Sequence, residues 1–269
     1  MAEFQRIGRR LFLARFGKGS LALAVLRACA RKDAGSSTTT AVEVVSTAPP
    51  STAPSTTGAT VPDPTTTTPS ATSAVARYSR VNLGFVSAYV VVRGAEAAVV
   101  DTGVSGSEGE IEAALATADL GWEAVGHVIL THHHRDHAGS LPAVMAAATQ
   151  ASTYIGEADL DNVSGPRELV GLKDGDSVFG LSVIGTPGHT AGHISVLDVP
   201  ASVLIAGDAL NGSTDGVAGP DARYSEDHDL ALATVAKMAG YDYETLYFGH
   251  GEPVMDGAST LVEMLAETL

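Results

Sequence analysis

Residues 131–140 read T-H-H-H-R-D-H-A-G-S and place His132, His134, Asp136 and His137 within six positions. Neutral imidazole and carboxylate are the ligand types that zinc and related divalent ions prefer. The run 126–130, G-H-V-I-L, reads as a buried strand, and the chain leaves it into a turn. On extended backbone His132 and His134 point the same way, because side chains repeat every second residue. Asp136 and His137 follow where a helix begins and can face a second ion beside the first. Such a cluster is incomplete by itself, so the chain must fold in a way that carries further ligands to it.

The remaining candidates come in order. His189 stands in T-P-G-H-T-A-G-H after the apolar run 181–184, and Asp208 stands in A-G-D-A-L after 202–206. His250 stands in F-G-H-G after 245–248, and Asp101 in V-V-D-T-G after 97–100. Each lies just past a predicted strand, so several strands deliver polar groups to one edge of an α/β scaffold. Mixed strands and helices with ligands at one edge fit two packed sheets with helices outside.

These motifs, in this order, resemble the metallo-β-lactamase-fold superfamily over roughly residues 81–253, and within it the glyoxalase-II-like and lactonase-like dinuclear hydrolases. The resemblance implies an αββα sandwich of two mixed β-sheets with helices on the outer faces. It implies a first ion held by His132, His134 and His189, and a second held by Asp136, His137 and His250. Asp208 would bridge both, and Asp101 would orient a ligand imidazole by accepting its other N–H. The implied cofactor is a pair of divalent ions, Zn²⁺ foremost, although the same ligands accept Mn, Fe or Co. Two ions about 3.5–4 Å apart can share a water and lower its pKa toward 7. Asp136 would then orient the resulting hydroxide, and no Ser or Cys nucleophile is required. The expected reaction is hydrolysis of a carboxylic ester, lactone or thioester.

The chain before this domain has a different character. Residues 1–35 hold eight basic and two acidic side chains, so in a chain with a total charge of −15 the remainder carries −15 − 6 = −21. Arg9-Arg10-Leu11-Phe12-Leu13 resembles a twin-arginine export signal, ahead of the apolar run 21–26. Leu26-Arg27-Ala28-Cys29 resembles a lipobox, which makes Cys29 a candidate lipid anchor. Residues 1–30 are thus expected to export the protein, and lysine at positions 9 and 10 to keep it in the cytoplasm. Cys29 is the only cysteine, so neither a disulfide nor a thiolate ligand is available. Residues 31–74, rich in Ser, Thr, Pro and Ala, read as a disordered tether, and residues 75–269 as one catalytic domain.

Within it, strands are expected over 81–92, 97–100, 152–155 and 245–248, with two or three more over 177–199. Helices are expected over 107–118, opened by the capping-box pattern Ser107-x-x-Glu110, and over 139–150, 226–239 and 258–267. The other histidines read as structural: His133 as solvent-facing or supporting the ligands, His193 as satisfying a buried hydrogen bond, His127 as a strand-end residue, and His228 as starting a helix. The Gly-rich stretch 211–229 reads as a long loop near the site, with Asn211, Tyr224 and His228 as candidate substrate contacts.

Departures from the family narrow the substrate. Only 19 residues follow His250, which argues against the helical glutathione-holding domain of glyoxalase II. Asn211 stands where acyl-homoserine lactonases carry a tyrosine. Dedicated metallo-β-lactamases lack the bridging aspartate. A remainder at −21 would repel nucleic acid and anionic membrane surfaces, so a small molecule is the expected partner and any membrane contact would run through Cys29. Two alternatives stay open: an iron-dependent redox enzyme of the same fold, akin to persulfide dioxygenases, and a metal-containing binding domain without turnover.

Overall fold

The computed structural model describes residues 76–214 and 216–269. The export signal, Cys29 and the tether fall outside the described residues. Strand β1 (Arg77–Asn82) pairs antiparallel with β2 (Ser87–Arg93), and β2 with β3 (Glu96–Val100). From β3 the sheet continues in parallel through β4 (Val125–Ile129), β5 (Ser152–Gly156) and β6 (Leu169–Leu172). Helix α1 (Glu108–Ala116), the single turn α2 (Arg135–Ala138) and α3 (Leu141–Ala147) fall between its strands.

The second sheet orders β13-β10-β9-β8-β7, where β7 is Ser177–Val178, β8 Leu181–Gly185, β9 Ile194–Asp198, β10 Val203–Ile205 and β13 Thr245–Tyr247. A small hairpin of β11 (Asn211–Ser213) and β12 (Gly216–Ala218) follows β10, and α4 (His228–Met238) and α5 (Ala258–Ala266) flank β13 in sequence.

Three apolar layers make this an αββα sandwich. Tyr89, Val91, Ala98, Val100 and Ile129 of the first sheet pack between the sheets against Val183, Val196, Ile205 and Tyr247 of the second. Alternate residues of the same strands, Val90, Val92 and Val99, pack outward with Ile111 and Leu115 of α1 and Val144 and Met145 of α3. Ile184, Leu197 and Leu204 form the third layer with Val235 and Met238 of α4 and Val262 of α5. Strand β2 is therefore buried on both faces, which explains its continuous apolar run. Such a strand gains little register information from its hydrophobic pattern. Tyr89 supplies some: its hydroxyl donates to the Phe248 carbonyl at 2.6 Å, a bond that a one-residue slip would turn to the outer layer.

Several local expectations are corrected. The stretch 81–92 is not one strand. It breaks at residues 83–86, where Asn82 Oδ1 accepts the Gly84 N–H at 2.9 Å and Gly84 takes φ +92°. The capping box at Ser107 does not form. The Ser107 N–H is taken by Ser140 Oγ at 2.7 Å, and no side chain caps α1. The helix expected over 139–150 is shorter, Leu141–Ala147, with Pro142 in its first turn. Helix α4 starts two residues later than 226, because the Asp227 side chain caps it by accepting the Leu230 N–H at 3.0 Å. The loop over 211–229 contains the β11–β12 hairpin.

Candidate metal centre

The pairings place the candidate ligands at one rim. β3 and β4 run parallel, so Asp101 and His132 both follow C-terminal strand ends. β10 and β13 also run parallel, and β8 shares their direction through two antiparallel steps by way of β9. His189, Asp208 and His250 thus leave the second sheet at the same edge. Bonds across the sheets close that edge: Ile194 N–H to the Thr131 carbonyl at 2.8 Å and Ser87 N–H to the Gly249 carbonyl at 2.9 Å.

Five imidazoles and two carboxylates meet there. His134 Nδ1 lies 3.0 Å from His132 Nε2 and 2.9 Å from His189 Nε2. On the other side, His250 Nε2 lies 3.3 Å from Asp136 Oδ2. Asp208 sits between the groups: its Oδ2 is 3.4 Å from His189 Nε2 and 3.2 Å from His250 Nε2, and its Oδ1 is 3.3 Å from His137 Nε2. Three sets can each hold a cation: His132, His134 and His189; His132, His137 and Asp208; and Asp136, His137 and His250.

Several of these rings are fixed from behind. Asp101 Oδ2 is 2.9 Å from His137 Nδ1, while its carboxylate also accepts the Thr131 N–H at 2.7 Å and the Thr131 hydroxyl. The Thr131 hydroxyl lies 3.0 Å from His132 Nδ1. The Phe85 carbonyl lies 2.6 Å from His250 Nδ1, and the Phe85 ring stacks on that imidazole. Each bond fixes the ring orientation and turns Nε2 into the cluster. Asp101 achieves its reach with φ +60°, a left-handed conformation that a non-glycine residue adopts at a cost.

Electrostatics divide the cluster. Burial pushes the imidazoles of His132 and His134 below their ordinary values, and that of His189 down to about 4. They are neutral at pH 7, the form that binds metals. Burial also pulls on His137, but the Asp208 and Asp101 carboxylates outweigh it and raise its pKa well above normal. Hydrogen bonding to Asp136 and Asp208 lifts His250 to about 10. Burial opposes ionisation of Asp208, yet His137 and the other rings hold its carboxyl well below the usual range. His137 Nε2 and Asp208 Oδ1 are buried and lack any hydrogen bond. Orphaned polar atoms are costly in an interior. Ring nitrogens converging on a buried carboxylate suit a cation, which would take the place of the protons on His137 and His250, so the residues present fit a metal pair.

Close packing protects the arrangement. A Cβ at Gly249 would overlap Asp208 Oδ1 and crowd His137 Cε1, and one at Gly207 would meet His193 Nε2 and Thr131. His193 is fully buried beneath the ligands. Its Nε2 accepts the Asp208 N–H at 3.0 Å, and its Nδ1 lies 2.7 Å from Thr186 Oγ1, so both ring nitrogens are satisfied. Burial lowers its pKa to about 3.

Asp159, which carried no expectation, holds the two ligand loops together. Its buried carboxylate accepts from Thr190 Oγ1 at 2.7 Å, the Gly192 N–H at 2.7 Å and the His133 N–H at 3.2 Å. The His133 ring rests on the same carboxylate, Nδ1 to Oδ2 3.0 Å, outside hydrogen-bond geometry.

Above the cluster opens a cavity of about 870 Å³ lined by Phe85, Arg135, Asp136, Asn211, Asp221, Tyr224 and the ligand rings. Asn211 and Tyr224 are thus placed at the site. Asn211 Nδ2 is spent on the Gly219 carbonyl at 3.2 Å. His228 begins α4 and is not among the residues that line the cavity. His127 packs against Tyr154 and Phe179 at a distance from the centre.

An αββα domain with a histidine–carboxylate cluster at the joint edge of its sheets defines a class of metal-binding scaffold. The model of the Metallo-beta-lactamase superfamily matches residues 81–250, and the chain belongs to that superfamily. A hydroxyacylglutathione hydrolase of Alkalilimnicola ehrlichii is 35% identical over 157 residues, covering 57% of this chain and 56% of that protein. The metallo-beta-lactamase family protein TTHA1429 of Thermus thermophilus shares the fold at a TM-score of 0.57, with 23% identity over 72% of this chain and 78% of its own. TTHA1623, solved in a di-iron-bound form, does so at a TM-score of 0.55, with 23% identity over 65% and 92%. The chain spans less than two thirds of the length of the curated relatives it matches.

Proposed function

We propose that this protein is a dinuclear, zinc-dependent hydrolase of a carboxylic ester, lactone or thioester. The observation that carries the reading is the place of Asp208, within 3.4 Å of imidazole nitrogens on both sides. His132, His134 and His189 would hold one ion, Asp136, His137 and His250 the other, and Asp208 would touch both. A bound pair of divalent ions supplies Lewis acidity and brings the pKa of water toward neutrality.

The chain's own side chains do the rest. Asp101, Thr131 and the Phe85 carbonyl keep the imidazoles in the tautomer that presents Nε2. Asp136 is half-buried, lines the cavity and carries a carboxyl whose pKa is lowered by its bond to His250. It stays ionised at pH 7 and can accept a hydrogen bond from an attacking water, orienting it toward a carbonyl in the cavity. The cavity volume suits a small molecule. The similarity to a hydroxyacylglutathione hydrolase supports the thioester branch of the reading.

Removal of metal with a chelator is expected to abolish turnover of a panel of thioesters, lactones and aryl esters, and added Zn²⁺ to restore it, with two ions per chain by mass spectrometry. Full activity in the metal-free protein would overturn the proposal. We also propose export through the segment 1–30, tested by placing lysine at Arg9 and Arg10 and locating the protein by fractionation. Retained export in that variant would refute it.

A further inference from the structure

Of the cavity's polar side chains, nearly all are already engaged. Asp136 faces His250, Asp208 faces three imidazoles, Asp221 is bound by Arg223 at 2.6 Å, and Asn211 bonds the Gly219 carbonyl. Arg135 is different. It lines the cavity between the candidate ligands His134 and Asp136, and its guanidinium makes no ion pair or hydrogen bond among the described residues. The rule elsewhere in the domain is the opposite. Arg80, Arg93, Lys173, Arg223 and Lys237 each pair with a carboxylate, and Arg167 donates to three backbone carbonyls. Arg77, also unpaired, sits at the start of the edge strand β1 and does not line the cavity.

In a chain with 31 acidic against 16 basic residues, a cation without an acidic partner is not explained by scarcity of carboxylates. Its five donors in a planar fork match a carboxylate in two parallel bonds. The apolar neighbours Phe85 and Tyr224, both 63% exposed at the cavity mouth, offer a surface for the remainder of a ligand.

We propose that the cavity takes an acyl substrate bearing a carboxylate set off from the scissile bond, and that Arg135 receives that carboxylate. The inference rests on the hydrolase reading for the word substrate, but its binding component does not. Arg135 acts as a specificity determinant, and the acyl chemistry takes place at the neighbouring cluster.

The test uses the full chain loaded with Zn²⁺, its metal content checked for each variant. The S-butanoyl thioester of 3-mercaptopropanoate is compared with that of 3-mercaptopropanamide, which matches it in size and lacks the charge. The acid is expected to have about fivefold higher kcat/KM than the amide, carried by KM, the scale of one partly exposed ion pair. Arg135→Gln is expected to bring the ratio to near one, and Arg135→Lys to retain part of it. In parallel, calorimetry with the non-hydrolysable S-butyl thioethers of the same acid and amide should show the same preference and the same loss. A ratio near one in the unaltered protein, or one that Arg135→Gln leaves intact in both assays, overturns the proposal. Absence of turnover for both thioesters would remove the thioester branch of the hydrolase reading, while the calorimetric ratio would still decide the role of Arg135.

Discussion

At the floor of the cavity, His132, His137 and His250 are each held through Nδ1 by Thr131, Asp101 or the Phe85 carbonyl, and Asp208 is held through its backbone N–H by His193. At the mouth, Phe85 and Tyr224 turn their rings to solvent and Arg135 has no partner among the described residues. Close packing and satisfied bonds leave the floor one geometry. Apart from the Phe85 ring, which stacks on His250, the mouth has few constraints and can change residue without disturbing the floor. That contrast separates the part that activates water from the part that selects what reaches it.

The contrast breaks first if the floor proves tolerant. Gly249→Ala puts a methyl into the space of Asp208 Oδ1. Misplacement of this kind is expected to cost on the order of 10²-fold or more in kcat, with loss of bound metal by mass spectrometry. Near-normal activity and metal content would mean that the floor is not tightly specified.

Next comes the support behind it. Asp101→Asn keeps the shape but can present an amide N–H to His137 Nδ1 in place of a carboxylate oxygen. Metal affinity, measured by competition with a chromophoric chelator, is expected to fall about 10- to 100-fold, and an unchanged affinity would remove Asp101 from the account.

Asp159→Ala tests whether the two ligand loops are clamped together. It leaves the Thr190 hydroxyl and the Gly192 and His133 N–H groups without their acceptor. A loss of roughly 2–3 kcal/mol is expected in urea unfolding, and Asp159→Asn, which keeps an acceptor, should lose less. Equal losses would argue against the clamp.

The smallest effect belongs to the mouth. Tyr224→Ala should change unfolding free energy by no more than about 0.5 kcal/mol and leave metal content intact, with KM as the quantity that moves. A fall in metal content would show that mouth and floor are coupled.

How much of this was legible in the sequence follows the same division. His132, His134, Asp136, His137, His189, Asp208 and His250 could be picked out because strand ends and short motifs announce them, and the structure brings all seven together with Asp101. Two packed sheets with outer helices were readable from mixed strands and helices with ligands at one edge, and the αββα sandwich from the family resemblance. The β1–β2 turn was legible in principle from Asn82-Leu83-Gly84, but the apolar residues on either side hide it. Ser107 showed a capping pattern that failed because a hydroxyl 33 residues away, on Ser140, took its N–H. Asp159 and the Phe85 carbonyl could not be read locally, since their partners are 26 to 165 residues distant and a backbone carbonyl has no sequence signature.

The central claim is that Asp208 lies between two cations. Anomalous diffraction at the zinc edge, on crystals of the full chain grown with Zn²⁺, tests it most directly. Two peaks are expected to flank the Asp208 carboxylate, one against His132, His134 and His189 and one against Asp136, His137 and His250. A single peak, or zinc bound elsewhere with these side chains unligated, would contradict it.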